Sequence, residues 1–253
     1  MWRGDRSSGG TGGVKQDVLE ALVEADAQSR TVVLVRNLAD GHQFLVDCDG
    51  ACRLEGGVRQ DLDTELPQAL LERSRDALAR DGAQAADIEG ERYLIQTVSP
   101  SPRLFIIGAV HIAQKLTPMA RLVGYDVLLL DPRPAFASAA RFPNVEIINE
   151  WPQEAMPKLS LDSRCAVVTL SHDAKIDEPA LQAALESEAF YIGALGSKRN
   201  HSKRLERLGA VGFDDAALAR VCGPIGLPLG GRSPAEIAIA IIAQMTQARY
   251  RSG

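Results

Sequence analysis

From Leu104 to Ile107 every side chain is apolar, Gly108 interrupts the run, and the residues from Val110 onward take up helical periodicity. A short apolar run closed by a glycine is the pattern of a strand covered on both faces. Further strand-like runs occupy 126–130, 145–149, 165–170 and 190–193, and helical patterns occupy 111–123, 178–187 and 198–208. A last helix is announced by Ser233-Pro234-Ala235-Glu236, where serine caps, proline takes the first turn and glutamate closes a capping box. Its apolar positions Ile237, Ile239, Ile241, Ile242 and Met245 are expected to pack on the sheet or on a second subunit. Alternation of this kind predicts an α/β fold, a Rossmann-like parallel sheet with helices on both faces, over residues 104–253.

Upstream the pattern changes. Helical spacing over 15–27 is followed by TVVLVRNL, HQFLVDC and ERYLIQTV, with a second helix predicted over 66–80 and turns at Ala39-Asp40-Gly41 and Asp47-Cys48-Asp49-Gly50. This predicts a small α+β domain over 14–98, joined to the α/β domain by the proline-containing linker 99–103. Residues 1–13 carry charges and glycines without an apolar segment, and are expected to form a flexible tail rather than a signal peptide.

Open parallel sheets bind ligands at the carboxyl ends of their strands, so the residues just after each strand are the candidates. The first set is Gly108, Val110 and His111. The dinucleotide fingerprint G-x-G-x-x-G/A asks for glycine where this chain has Val110, which keeps the fold signal and weakens the cofactor signal. Asp131 stands 23 residues beyond Gly108, near the spacing for a ribose-binding acid, and Arg133 beside it could hold an extra phosphate or close a loop salt bridge. His172 and Asp173 form a third set, suited either to proton transfer or to capping the helix that follows. In the fourth, Gly193 and Gly196 bracket a turn leading to Ser197, Lys198 and Arg199. A helix N-terminus with cations there offers an anion site, the alternative being a plain turn followed by a solvated basic face. Within this segment Gly196, Ser197 and Lys198 are the favoured residues, and the later cations, Arg204 among them, are expected to face water.

Composition narrows the classes. A formal charge of −5 over 253 residues gives no general attraction to nucleic acid, and no apolar run approaches the roughly 20 residues of a membrane span. Four cysteines without a C-x-x-C pair suggest reduced thiols and no structural metal site, so the cytoplasm is the expected compartment. Walker-type and serine-elbow motifs are absent.

The segments IIGAVHIA, LLLDPRPAFA, LSHDAKIDEPAL, YIGALGSKRNHSKR and GPIGLPLGGRSPAEIA occur in the order found in the XdhC/CoxI family, the accessory proteins of xanthine dehydrogenase and carbon monoxide dehydrogenase, which this chain resembles over 103–250. The resemblance implies a carrier or chaperone of molybdenum cofactor (molybdopterin) that serves a molybdenum hydroxylase apoenzyme, works with a cysteine desulfurase and forms a homodimer. It also implies that His111, His172, Asp173, Gly196, Ser197 and Lys198 border the ligand cleft. Family members carry serine-glycine-glycine-cysteine in the N-terminal domain, and this chain has Glu55-Gly56-Gly57-Val58 there, so no thiol can act at that point. Two other readings stand beside this one: an NAD(P)-dependent oxidoreductase in which His172 and Asp173 act as acid and base, and a non-catalytic docking partner of a molybdenum enzyme or sulfurtransferase.

Overall fold

The computed structural model describes residues 13–55, 58–63, 65–78 and 81–250, in two compact units, 1–100 and 101–253. The predicted tail, apart from Gly13, lies outside the described residues, as do Gly56 and Gly57 of the stretch that replaces the family thiol and the last residues of the helix predicted over 66–80.

The first unit contains α1 (Gln16–Ala27), β1 (Val32–Asn37), β2 (Gln43–Asp47), β3 (Gly50–Glu55), β4 (Val58–Asp61), α2 (Gln68–Ala77), β5 (Ala83–Ile88) and β6 (Glu91–Val98). Its six strands form one antiparallel sheet in the order β4-β3-β2-β1-β6-β5. Val32, Leu34, Leu45 and Cys52 pack beneath Val18 and Ala25 of α1. Val33, Val35, Phe44, Val46 and Ile95 pack with Leu70, Leu71 and Ala77 of α2. Helices on both faces explain why β1 and β2 read as unbroken apolar runs rather than alternating ones. Three strands escape the sequence pattern. β3, β4 and β5 are rich in alanine, glycine and charge, and they are recruited by pairing, β3 with β2, β4 with β3 and β5 with β6.

The second unit holds β7 (Arg103–Ile107), α3 (His111–Leu122), β8 (Asp126–Leu130), β9 (Glu146–Ile148), α4 (Pro152–Ala155), β10 (Cys165–Thr169), α5 (Ala174–Leu185), β11 (Tyr191–Ala194), α6 (Lys198–Ala210), α7 (Asp215–Leu218), β12 (Val221–Cys222) and α8 (Pro234–Tyr250). All six strands run parallel in the order β12-β11-β10-β7-β8-β9. Numbered within the sheet this is 6-5-4-1-2-3, the doubly wound order, with the switch point between β7 and β10. Leu104, Ile106, Ala166 and Val168 face a core shared with α3 and α8. Phe105, Ile107, Cys165 and Val167 face the opposite core, formed with α5.

One predicted boundary moves for a physical reason. The helix predicted from 178 begins at Ala174, because the Asp173 carboxylate accepts from the Lys175 amide and caps it one turn earlier. At α8 the capping box forms as expected: Ser233 Oγ accepts from the Glu236 amide, and the Glu236 carboxylate accepts from the Ser233 amide. Ile241 and Met245 are buried within the unit, whereas Ile239 is half exposed. Among the described residues no helix is long and apolar enough to cross a membrane.

Candidate functional site

The carboxyl edge of the parallel sheet is built around two buried aspartates. Asp131, immediately after β8, is fully buried, and both of its oxygens are engaged. Oδ1 accepts from Arg133 Nε at 2.8 Å and from the Arg133 amide at 3.0 Å; Oδ2 accepts from Arg133 Nη2 and from the Ala109 amide, each at 2.7 Å. Burial opposes the charge on Asp131, but the Arg133 fork and the two amides hold its carboxyl below the usual carboxylate range. The Ala109 bond fixes the turn from β7 to α3. Arg133 also lies over the ring of Phe136, 4.5 Å from its centroid, so the loop after β8 is a folded, self-satisfied unit.

At the switch point Gly108 has a φ of +105°, and a Cβ added there would stand 2.7 Å from the Ser171 backbone nitrogen. The turns after β7 and β10 therefore touch backbone to backbone, which only glycine permits. Ser171 in turn binds the second aspartate. Asp177 Oδ1 accepts from Ser171 Oγ at 2.7 Å and from the Ser171 amide at 3.2 Å. Asp177 Oδ2 has no hydrogen-bond partner among the described residues, and Arg204 Nη2 stays 3.8 Å away, too far to donate. Arg204 itself is buried on α6; its Nη2 donates to the Leu195 carbonyl at 2.9 Å, while its Nη1 is without a partner among the described residues. Burial pushes the Asp177 carboxyl up, opposed by Ser171, Arg204 and His172, and burial likewise pulls the Arg204 guanidinium down. Both side chains line a cavity of about 120 Å³ between α5 and α6, together with His172, Leu195 and Asn200.

A sequence profile of the XdhC Rossmann domain matches residues 104–245, more than half of the chain. The chain belongs to the XdhC family. Among curated proteins it is similar to the molybdenum cofactor insertion chaperone PaoD of Escherichia coli (strain K12), 32% identical over 150 residues that cover 59% of this chain and 41% of that protein. It is also similar to a protein of Bacillus subtilis (strain 168) named as a probable xanthine dehydrogenase subunit, at 29% over 158 residues, covering 62% of this chain and 46% of that one. The chain thus spans less than half the length of the curated relatives it matches. A solved structure described as a xanthine dehydrogenase from Bacillus halodurans superposes with a TM-score of 0.68 at 24% identity, covering 92% of this chain and 66% of that one, a likeness of fold.

Within this XdhC domain the residues singled out from sequence fall into distinct roles. Val110 is the N-cap of α3 with extended backbone and gives no side-chain cap, and His111 opens that helix exposed to solvent. His172 is exposed in a left-handed backbone conformation, φ +63°, directly before the capping Asp173. Gly193 lies inside β11 rather than in the turn, where a Cβ would stand 2.6 Å from Ile225 Cδ1, so its bare Cα serves packing. Gly196 makes the turn with φ +149°, Ser197 Oγ caps α6 by accepting from the Asn200 amide at 3.2 Å, and Lys198 and Arg199 are exposed beside it. The expectation that Arg204 faces water is overturned: it is 6% exposed, because its position on α6 turns it inward under Leu195. Neither Asp177 nor Arg204 was among the candidate site residues of the sequence. For Asp177 the available signal was a carboxylate one helical turn inside an element that starts at the carboxyl edge, a spacing that turns it back toward the strand ends.

Proposed function

We propose that this chain carries molybdenum cofactor and assists its insertion into a molybdenum hydroxylase of the xanthine dehydrogenase type. The observation that carries the reading is a buried acceptor and donor without hydrogen-bond partners among the described residues, Asp177 Oδ2 and Arg204 Nη1, on two side chains that line a cavity at the carboxyl edge of an XdhC Rossmann domain. A relative named as an insertion chaperone for the same cofactor supports it. The cargo is held through its organic part. Among the described residues no three His, Cys, Asp or Glu side chains converge as a metal site, and the Gly196–Lys198 turn, exposed at Ser197 and Lys198, supplies amides, the Ser197 hydroxyl and an ammonium for the cofactor phosphate. Asp131, by contrast, has no free oxygen for a ribose hydroxyl, which takes away the main support for a dinucleotide reading based on that residue. A client hydroxylase apoenzyme, a desulfurase that supplies sulfur and a homodimeric state belong to the same proposal.

The test is retention. Protein mixed with freshly released cofactor and passed through a desalting column is expected to co-elute with molybdenum and oxidised pterin fluorescence in near-equal amounts. Absence of both signals, where an authentic carrier retains them, would overturn the reading.

A further inference from the structure

The cavity between α5 and α6 is chemically mixed. Asp177 and Arg204 are both more than nine-tenths buried and form an ion pair at 3.8 Å, yet Asp177 Oδ2 as acceptor and Arg204 Nη1 as donor each lack a hydrogen-bond partner among the described residues. Idle buried polar atoms are retained at a net penalty unless a ligand completes them. A fully ionised phosphate offers acceptors only. It would meet Arg204, with Lys203 and Arg207 also bordering the space, but it would face the carboxylates of Asp177 and Glu178 and leave the Asp177 acceptor without a donor. A ligand edge with N–H donors next to a carbonyl satisfies both idle groups at once.

We propose that Asp177 and Arg204 read the 2-amino-4-oxo edge of a pterin ring, Asp177 Oδ2 accepting from the ring's amino and ring N–H groups and Arg204 Nη1 donating to its carbonyl. The proposal rests on the carrier reading above and adds which end of the cargo enters the cavity: the ring edge lies inward between α5 and α6, and the phosphate outward at the Gly196–Lys198 turn. No covalent step is involved. Asp177 and Arg204 are binding residues, and Ser171 positions Asp177 through its two hydrogen bonds.

The probes are free pterin and lumazine, which carry an amino group and a carbonyl respectively at ring position 2, lumazine also bearing a proton on N1. Lumazine sets an acceptor against Asp177. Titration of the full chain followed by ring fluorescence is expected to give pterin an affinity at least about tenfold above lumazine, the scale of one charged hydrogen bond. Asp177→Asn, whose amide can serve either ring, is expected to reduce the preference to within about threefold, with folding checked by its melting transition. Equal binding of the two rings by the unaltered protein, no binding of pterin at millimolar concentration, or an unchanged preference in Asp177→Asn would each overturn the assignment. The unaltered protein makes the first comparison without any variant, so misfolding of the variant does not protect the idea. Retention of molybdenum cofactor by a protein without ring preference would sink this assignment and leave the carrier reading standing. Loss of retention would sink both.

Discussion

Two aspartates stand at the carboxyl ends of neighbouring parts of one sheet, each beside an arginine, and they are finished to different degrees. Asp131 receives four hydrogen bonds, and Arg133 meets it as a fork. Asp177 receives two on one oxygen, and its arginine stands off at 3.8 Å. A completed buried network fixes a loop; an incomplete one holds chemistry in reserve for a ligand. An aspartate just after β8 thus completes a loop, whereas one on the first turn of α5 is left with an oxygen that accepts no hydrogen bond among the described residues.

The largest expected effect comes from breaking the junction between the two sides. Gly108→Ala forces a φ of +105° on a residue with a Cβ and drives that Cβ against the Ser171 backbone. Strain of about 1–3 kcal/mol and overpacking of a similar size add to a loss of about 4 kcal/mol in denaturant unfolding of the full chain. Next is the matched pair Asp131→Asn and Asp177→Asn. At Asp131 the new amide sets N–H against N–H and dissolves the arginine fork, a loss of about 3 kcal/mol. At Asp177 the amide oxygen keeps both Ser171 bonds, and the change in stability stays within about 1 kcal/mol. Equal losses at the two sites would erase the distinction between them.

The contrast also has a pH signature of opposite sign. The carboxyl of Asp131 is held below its ordinary value when folded, so its stabilisation is present above the ordinary carboxylate range and is lost as pH falls through the folded value. That of Asp177 is raised, chiefly by burial, so the folded state holds its proton longer; stability contributed by that protonated form erodes as pH climbs from the ordinary value through the raised one. Unfolding measured between pH 3 and 7 should therefore show Asp131→Asn flattening the acid limb and Asp177→Asn steepening the fall toward acid, because it removes an opposing slope. Parallel shifts in the two variants would contradict the assigned environments.

The sheet was legible in the chain because its strands are covered on both faces and are therefore apolar throughout, as in Leu104–Ile107 and Cys165–Thr169. The candidate edge was legible too, since glycine and capping residues mark strand ends: Gly108, Asp173, Gly196 and Ser197 all stand at turns or caps. Burial of charge was not. Nothing in the local pattern of KRNHSKRLERLGA says that Arg204 turns inward while Lys203 stays out, because that depends on where Leu195 and Asp177 lie across α5 and α6. β3 to β5 were hidden for a related reason: their pairing partners, not their own propensity, make them strands.

The smallest effect separates two neighbours at the α6 turn. Ser197 caps the helix through the Asn200 amide, and Ser197→Ala is expected to lose about 1 kcal/mol of stability, the usual worth of a side-chain cap. Lys198 is exposed, and its replacement by alanine should change stability by less than about 0.5 kcal/mol. Cofactor retention should respond in the reverse order, with Lys198→Ala losing the larger share and losing it more at low salt than at high salt, because screening already weakens the ammonium's attraction for a phosphate. If the double variant Ser197→Ala, Lys198→Ala retained molybdenum cofactor as well as the unaltered chain, the turn would hold no phosphate. The edge would then divide differently, with recognition confined to the Asp177–Arg204 cavity and the Gly196 turn joining the Asp131 loop as architecture.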